Sequence, residues 1–351
     1  MKTYFIVNPT SGNKTALKTI KSLINKTDFD YEIIETEYQH HATGIVKSIG
    51  EKGEKCRVFA CGGDGSLFDV VNGAVGFENI EVGIIPCGSG NDYIKYYGDK
   101  RNFLSEDYIL NGKSMPIDLI KFNDKYCVNI ASIGMDAYVC QQKEKMKFLS
   151  KISGSLAYIV AVFITLIFHM SEKFKVKIGD EDFFEKELMF IVAANGRYYG
   201  GSFNPTPDAV VNDGLIDAMT INKVSRLQVL DLIGKYQKGT HVDIKDLVSV
   251  KKVKRVEVIS EKLIPVNLDG ELFDSNTAVF EIVEKAVNFI VPSNILENIK
   301  QEEFVEKAWN SAIIWPFLTF SQKTLDFFKK SIKISYVLKC NFKVRRFYYD
   351  N

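Results

Sequence analysis

The sequence predicts an α/β chain in two unlike parts. A parallel sheet with helices on both faces, three layers deep, comes first, and a mainly β domain of sandwich type follows. Three observations predict it. Strand and helix patterns alternate over about the first 118 residues, the order that builds a parallel sheet. After Asp118, strand-like runs follow one another with few helices between them, as in a sandwich or barrel. Three of the early strand ends also carry turn residues on one edge of the sheet, where such folds bind ligands.

In the first part, Tyr4–Val7 reads as a strand. Thr15–Ile24 reads as a helix, because apolar Ala16, Leu17, Ile20, Leu23 and Ile24 recur at helical spacing. Then come a strand at Tyr31–Glu35, a helix at Ala42–Lys52 and a strand at Val58–Cys61. A helix at Leu67–Val75 and a strand at Val82–Pro86 complete the alternation. The second part predicts strands at Ile117–Phe122, Tyr126–Ser132, Phe174–Ile178, Glu187–Ala194 and Leu215–Ile221. More are expected at Val253–Ser260, Ile264–Leu268, Ala278–Val283 and Val287–Pro292, with helices only at Tyr138–Leu149 and Ser155–Met170.

Composition narrows the function classes. A hydrophobic share of 46% in 351 residues supports real cores, and a net charge of +1 argues against nucleic acid as a partner. The six cysteines form no C-x-x-C pair, which suits a reducing, cytoplasmic setting and small buried hydrophobes. The run Ile152–Ser171 is interrupted by Ser153, Gly154, Ser155, Thr165 and His169, so it reads as a buried or membrane-facing helix, not a span. From Lys323 onward, basic and aromatic residues interleave, which suits a membrane-surface element or a helix packed on the body.

The loop Gly62-Gly63-Asp64-Gly65-Ser66 lies where a strand turns into a helix. Its glycines let a ligand approach the main chain, and the helix start offers free N–H groups and positive dipole to an anion. A phosphate is the natural guest. Asp64 would repel a bare phosphate, so it fits a ribose hydroxyl or Mg²⁺; the plain alternative is a tight turn with Asp64 facing water. The other two strand ends are Asn8-Pro9-Thr10-Ser11-Gly12-Asn13-Lys14 and Pro86-Cys87-Gly88-Ser89-Gly90-Asn91-Asp92.

Together with Asp269-Gly270-Glu271 and Asn212-Asp213-Gly214-Leu215-Ile216-Asp217, these segments resemble the diacylglycerol kinase catalytic-domain family, in particular its soluble bacterial lipid kinases. The glycine loop alone is shared with NAD kinases and phosphofructokinases; the set is far more specific. The resemblance covers roughly residues 1–295 and implies an NAD kinase-like nucleotide domain packed on a β-sandwich. The domains expected from it are 1–118, rejoined by about 287–298, and 119–286, with 299–351 an added helical extension.

The resemblance also implies roles. ATP's phosphates would lie on Gly62, Gly63, Asp64, Gly65 and Ser66 and on Asn8, Pro9, Thr10, Ser11 and Gly12, with Thr36 and Ser89 also near the nucleotide. Glu271 would be the general base, with Asp64 and Asp118 in an Asp–water–Mg²⁺ network. Asp213, with the carbonyls of Val210 and Leu215, matches a second, structural magnesium site. Phe68 and Asp69 depart from the family, which has polar Asn and Glu in many members at those places.

Each segment also has a bland reading: Asp269-Gly270-Glu271 as an exposed hairpin turn, Asn212-Asp213-Gly214 as a plain turn, and His40-His41 as a surface pair. Asn195-Gly196 and Gly200-Gly201 line an acceptor cleft or form a structural hairpin. The expected activity is transfer of the γ-phosphate of ATP to a lipid hydroxyl, diacylglycerol first. Phosphatidylglycerol, ceramide, a sphingoid base or NAD remain as other acceptors, and a non-catalytic lipid- or nucleotide-binding regulator as the rival class. The expected partners are ATP, Mg²⁺ and a lipid at the inner face of the membrane; a homodimer is left open.

Overall fold

A computed structural model of the chain describes all residues except 26–27, 89, 146–163, 166–167, 169, 202, 297–298 and 300–351. The chain divides into two compact units, Met1–Ser293 and Asn294–Asn351, and every strand and helix named below lies in the first. The predicted extension, the apolar helix from Leu156 onward for most of its length, and Ser89 fall outside the described residues.

The alternation holds. Strands β1 (Lys2–Val7), β2 (Tyr31–Glu35), β3 (Cys56–Gly62) and β4 (Ile80–Pro86) pair in parallel in the order β2-β1-β3-β4. Helices α1 (Ala16–Ile24), α2 (His41–Gly50) and α3 (Asp64–Ala74) connect them. The strands are buried on both faces at β1, β3 and β4 (Phe5, Phe59 and Ile84 are fully buried), as a helix-covered parallel sheet requires. A short helix α4 (Glu106–Asn111), capped by the Ser105 hydroxyl on the Tyr108 amide, leads into β5 (Lys113–Phe122).

The second half is antiparallel and strand-rich. It comprises β6 (Lys125–Cys127), β7 (Ile130–Gly134), β8 (Glu172–Ile178), β9 (Phe184–Ala194), β10 (Ile216–Asn222), β11 (Val248–Val253), β12 (Arg255–Leu268) and β13 (Glu271–Val291). Helix α5 (Met135–Lys145) follows β7. Four predicted strands turn out to be two long ones. β12 absorbs both runs before Asp269 with an irregularity between Ile259 and Ile264, and β13 absorbs both runs after it with a shift between Val283 and Val287. Bulges of this kind let one strand bend between two sheets. β13 pairs with β12 along its first half, from Glu271 to Glu281, with β5 along its second half, from Glu281 to Val291, and with β4 in parallel at Asn288 and Phe289, so one strand joins the two halves.

Two helices escape the sequence pattern: the short α4, and α6 (Arg226–Lys238), closed at its start by a reciprocal Ser225–Gln228 capping box and at its end by left-handed Gly239. Among the described residues, no helix is long and apolar enough to cross a membrane.

Phe68 explains itself here. It is 2% exposed and belongs to the core that also holds Ile120, Phe122, Phe174, Leu268 and Phe280. An Asn at that place would put an amide into an apolar interior. Asn72, one turn on, completes the joint: its amide donates to Tyr126 O at 2.8 Å and its Oδ1 accepts from Tyr126 N at 2.9 Å. α3 is thereby fastened into the strand-rich half.

Candidate active site

The site grows from backbone that closes three strand ends on one another. Cys87 and Gly88 donate their N–H groups to Gly62 O at 2.9 and 3.0 Å, laying the β4 end against the glycine loop. A β-carbon on Gly88 would lie 2.4 Å from Gly63 Cα, so that contact needs glycine. Asn8 N donates to Cys61 O, and Gly12 is held in the left-handed region where a β-carbon would run into Cys87 O. Asn8 Oδ1 accepts from Thr10 N and Oγ1, fixing the loop around Pro9, while Ser11 N bonds back to Asn8 O. Thr36 joins from β2, its N–H on Val7 O at 2.8 Å. α3 starts at Asp64 with no side-chain cap at Gly63, and Leu67 N is the first to bond back into the helix. The N–H groups of Asp64, Gly65 and Ser66 are therefore left for an anion.

Two carboxylates sit at that start. Asp64 Oδ1 accepts from the amides of Asp92 at 2.7 Å and Tyr93 at 3.3 Å. Burial, then the neighbouring Asp92 charge, push its pKa up to about 6. Asp92 is itself anchored by Lys95 at 2.5 Å and by Gly201 N at 2.9 Å, which ties the Gly200-Gly201 turn to the β4 loop. In the sequence Asp92 stands out only as the end of its motif, and its place beside Asp64 is a finding of the fold. Asp64, raised by burial and by the Asp92 charge beside it, and with its Oδ2 taking no hydrogen bond among the described residues, is suited to a hard cation.

Glu271 arrives from the opposite half. Leu268 pairs with Glu271 across a two-residue turn in which Asp269 and Gly270 both have positive φ, the geometry Asp-Gly favours. Asp269 is no loose turn residue. Its Oδ1 accepts from Asn129 N and Ile130 N and its Oδ2 from Val128 N, while its own N–H bonds Ile130 O. That staple holds the turn, and the turn aims Glu271 so that a β-carbon on Gly65 would meet Glu271 Oε1 at 3.3 Å. Glu271 thus stands over the first turn of α3. Burial raises its pKa, the His40 charge lowers it, and Asp69 raises it again.

His40 is exposed, as a surface residue would be, yet it is engaged. It takes φ 63 just before α2, places Nδ1 2.7 Å from Asp69 Oδ1 and Nε2 4.0 Å from Glu271 Oε2. Gln39 donates to the same Glu271 oxygen at 3.2 Å. His41 faces away, stacked on Tyr38 and accepting from Glu37 N.

Asp118 is held by backbone amides of other segments. Its Oδ1 accepts from Lys285 N and its Oδ2 from Gly214 N, both at 2.7 Å, and its N–H bonds Val211 O. It therefore organises the Val210–Leu215 loop and the β13 bulge, and makes no hydrogen bond to Asp64 among the described residues. Asp213 Oδ1 accepts from Leu215 N at 3.1 Å, and its Oδ2 is 2.7 Å from Lys252 Nζ, which also reaches Asp217 at 3.0 Å. A cation held by Val210, Asp213 and Leu215 would meet that ammonium. Asn195 supports the structural reading of its segment: it donates to Asp118 O and Val128 O.

With this geometry in view, the comparisons are direct. Residues 2–122 match the diacylglycerol kinase catalytic domain, and 129–291 match the YegS C-terminal NAD kinase beta sandwich-like domain. The chain belongs to the diacylglycerol kinase catalytic-domain family. It is similar to a diacylglycerol kinase of Bacillus subtilis, 27% identical over 305 residues, covering 84% of this chain and 97% of that one. A diacylglycerol kinase of Staphylococcus saprophyticus is 26% identical, with 86% and 98% covered. In fold the family likeness extends to a crystal structure of a Bacillus anthracis diacylglycerol kinase, with a TM-score of 0.63, 22% identity, and 84% and 98% of the two chains covered. The family fold, a nucleotide-type α/β half with a β-sandwich half, is the one observed.

Proposed function

We propose that the chain is an ATP- and Mg²⁺-dependent lipid kinase that phosphorylates diacylglycerol to phosphatidic acid. Membership of the family and the names of its relatives support the lipid kinase class. The observation that carries the mechanism is Glu271 Oε1 standing over Gly65, at the free N–H groups where α3 begins. Phosphoryl transfer asks mainly for positioning and charge neutralisation. The Asn8–Gly12 and Gly62–Ser66 loops would carry the phosphates, with Thr36 and Ser89 near the nucleotide. Asp64, with Asp92 beside it, would hold Mg²⁺ through water, and the ion would neutralise charge on the transferring phosphate. Glu271 would accept the proton of the acceptor hydroxyl, which requires a base within hydrogen-bond reach.

We assign Asp118 to positioning of the Val210–Leu215 loop. The division of labour follows the proposed domains, with residues 1–118 and about 287–298 serving ATP and 119–286 the lipid. Phe68 lends no support to a non-catalytic regulator, since it serves the core.

The test is radiolabelled ATP offered with a panel of dispersed lipids and with NAD. Glu271→Gln is expected to lose about 10²–10⁴-fold in kcat while ATP affinity stays within a few-fold. Transfer surviving within about tenfold removes Glu271 as base; preferred phosphorylation of NAD removes the lipid reading.

A further inference from the structure

We propose that His40, held by Asp69, is a positioning residue for Glu271 that stands beside its carboxylate and takes over its proton after transfer. The proposal rests on the reading of Glu271 as base. Its geometric grounds are the chain Asp69–His40–Glu271, drawn from three separate elements.

A carboxylate can only accept, so the 2.7 Å contact with Asp69 Oδ1 places the proton on His40 Nδ1. Nε2 then faces Glu271 Oε2, 4.0 Å away, and is the ring nitrogen left to take up a proton. Both anchors are themselves fixed. Asp69 lies one turn inside α3, where its carbonyl accepts from Thr43 Oγ1 of α2 at 2.9 Å. His40 is set by its left-handed backbone at the α2 start, and the neighbouring Gln39 holds the same Glu271 oxygen. His40 is also 49% exposed at its side chain, so a proton that reaches it can leave to water.

The step balances. The acceptor O–H bond breaks and its proton goes to Glu271. The hydroxyl oxygen bonds the γ-phosphorus of ATP, and the bond from that phosphorus to the bridging oxygen breaks, its electron pair leaving with ADP. Glu271 passes the proton to Nε2, and the imidazolium so formed is paired with Asp69 until water takes the proton. Glu271 is then ionised for the next turnover. The charged groups facing it are His40 from the α2 start, Asp69 of α3 and Glu144 of α5.

The sign comes from those neighbours. When protonated, the imidazole favours ionised Glu271, against burial and the like charges of Asp69 and Glu144. Losing the imidazole should therefore move the acid limb of the rate profile to higher pH.

The test uses the full chain, with kcat and KM measured across pH on dispersed diacylglycerol. His40→Asn keeps a residue that tolerates the left-handed backbone, and a thermal melt confirms that it folds. We expect kcat to fall about tenfold to a hundredfold with KM for ATP within about twofold, and the acid limb to move to higher pH. Added imidazole should restore part of kcat in His40→Asn and none in Glu271→Gln. Asp69→Asn should lower kcat, and the double variant should be no slower than His40→Asn alone, since Asp69 acts through His40. A folded His40→Asn with the parent kcat and an unmoved acid limb, while Glu271→Gln is inactive, overturns the proposal. So does a loss of kcat with an unmoved limb and no imidazole rescue. An active Glu271→Gln instead overturns the base reading itself.

Discussion

Asp64 is costly to bury as an anion, and its surroundings say what relieves the cost. Two backbone amides serve one oxygen only, and Asp92 adds a like charge, so its pKa stands near 6 where an ordinary carboxylate has 3.8. A native pKa above the unfolded one means that stability falls as pH rises from about 4 to about 6, and stays lower above that. Asp64→Asn keeps the acceptor for the amides of Asp92 and Tyr93 and removes the charge. In the absence of magnesium it should melt higher than the parent at neutral pH, and the two curves should converge below about pH 4. Phosphate transfer should be lost at every pH. Parallel melting curves, or transfer within about tenfold of the parent, would sink this account. The residues of this site are unevenly legible in the sequence. Asp64, Ser66 and Glu271 announce themselves because glycine neighbours fix their backbone role. His40 and Asp69 do not: they are 29 positions apart, and only the packing of α2 on α3 joins them.

Elements whose backbone signal is local can be read from the chain, and those shaped by tertiary contact cannot. The four parallel strands and their helices are legible from apolar spacing. β13 reads as two strands because its middle, Val283 to Val287, breaks alternation; the structure keeps one strand by bulging at Lys285, whose amide Asp118 satisfies. α6 is hidden because Leu227 is 80% exposed and blurs the apolar stripe, although Ser225, Gln228 and Gly239 mark both ends. The Asp213 loop is the element with the sharpest consequence. We propose that Mg²⁺ and the Lys252 ammonium compete for its carboxylate, since both need the Oδ2 that Lys252 now holds at 2.7 Å. A ligand that binds only the native state raises its stability by mass action. Lys252→Met should thus enlarge the magnesium-dependent rise in melting temperature, and Asp213→Ala should abolish it. Equal melting temperatures with and without Mg²⁺ in Lys252→Met would leave Asp213 as the partner of Lys252 alone.

At the scale of the molecule, the proposed reaction needs a hydroxyl buried in a bilayer to be brought to Glu271, and no described helix is long and apolar enough to span. We place that contact in the tail. From Lys323 it interleaves Lys329, Lys330, Lys333, Lys339, Lys343, Arg345 and Arg346 with Phe327, Phe328, Tyr336, Phe342, Phe347, Tyr348 and Tyr349. Each cation near an anionic surface contributes about 1 kcal/mol, falling off within a Debye length, and the aromatic rings add apolar burial. The catalytic segments, by contrast, all fall within Met1–Ser293. Truncation after Lys300 should therefore leave transfer to detergent-dispersed lipid within about threefold of the parent, because no loop of the site is removed. On vesicles the same truncation should weaken binding, and binding should lose most of its dependence on salt. Co-sedimentation with vesicles rich in phosphatidylglycerol, at low and high salt, measures both. Equal sedimentation of the two forms at every salt concentration would move the membrane contact into Met1–Ser293. An insoluble truncated chain would make the tail a structural cover for that unit, and its basic residues a solvated face.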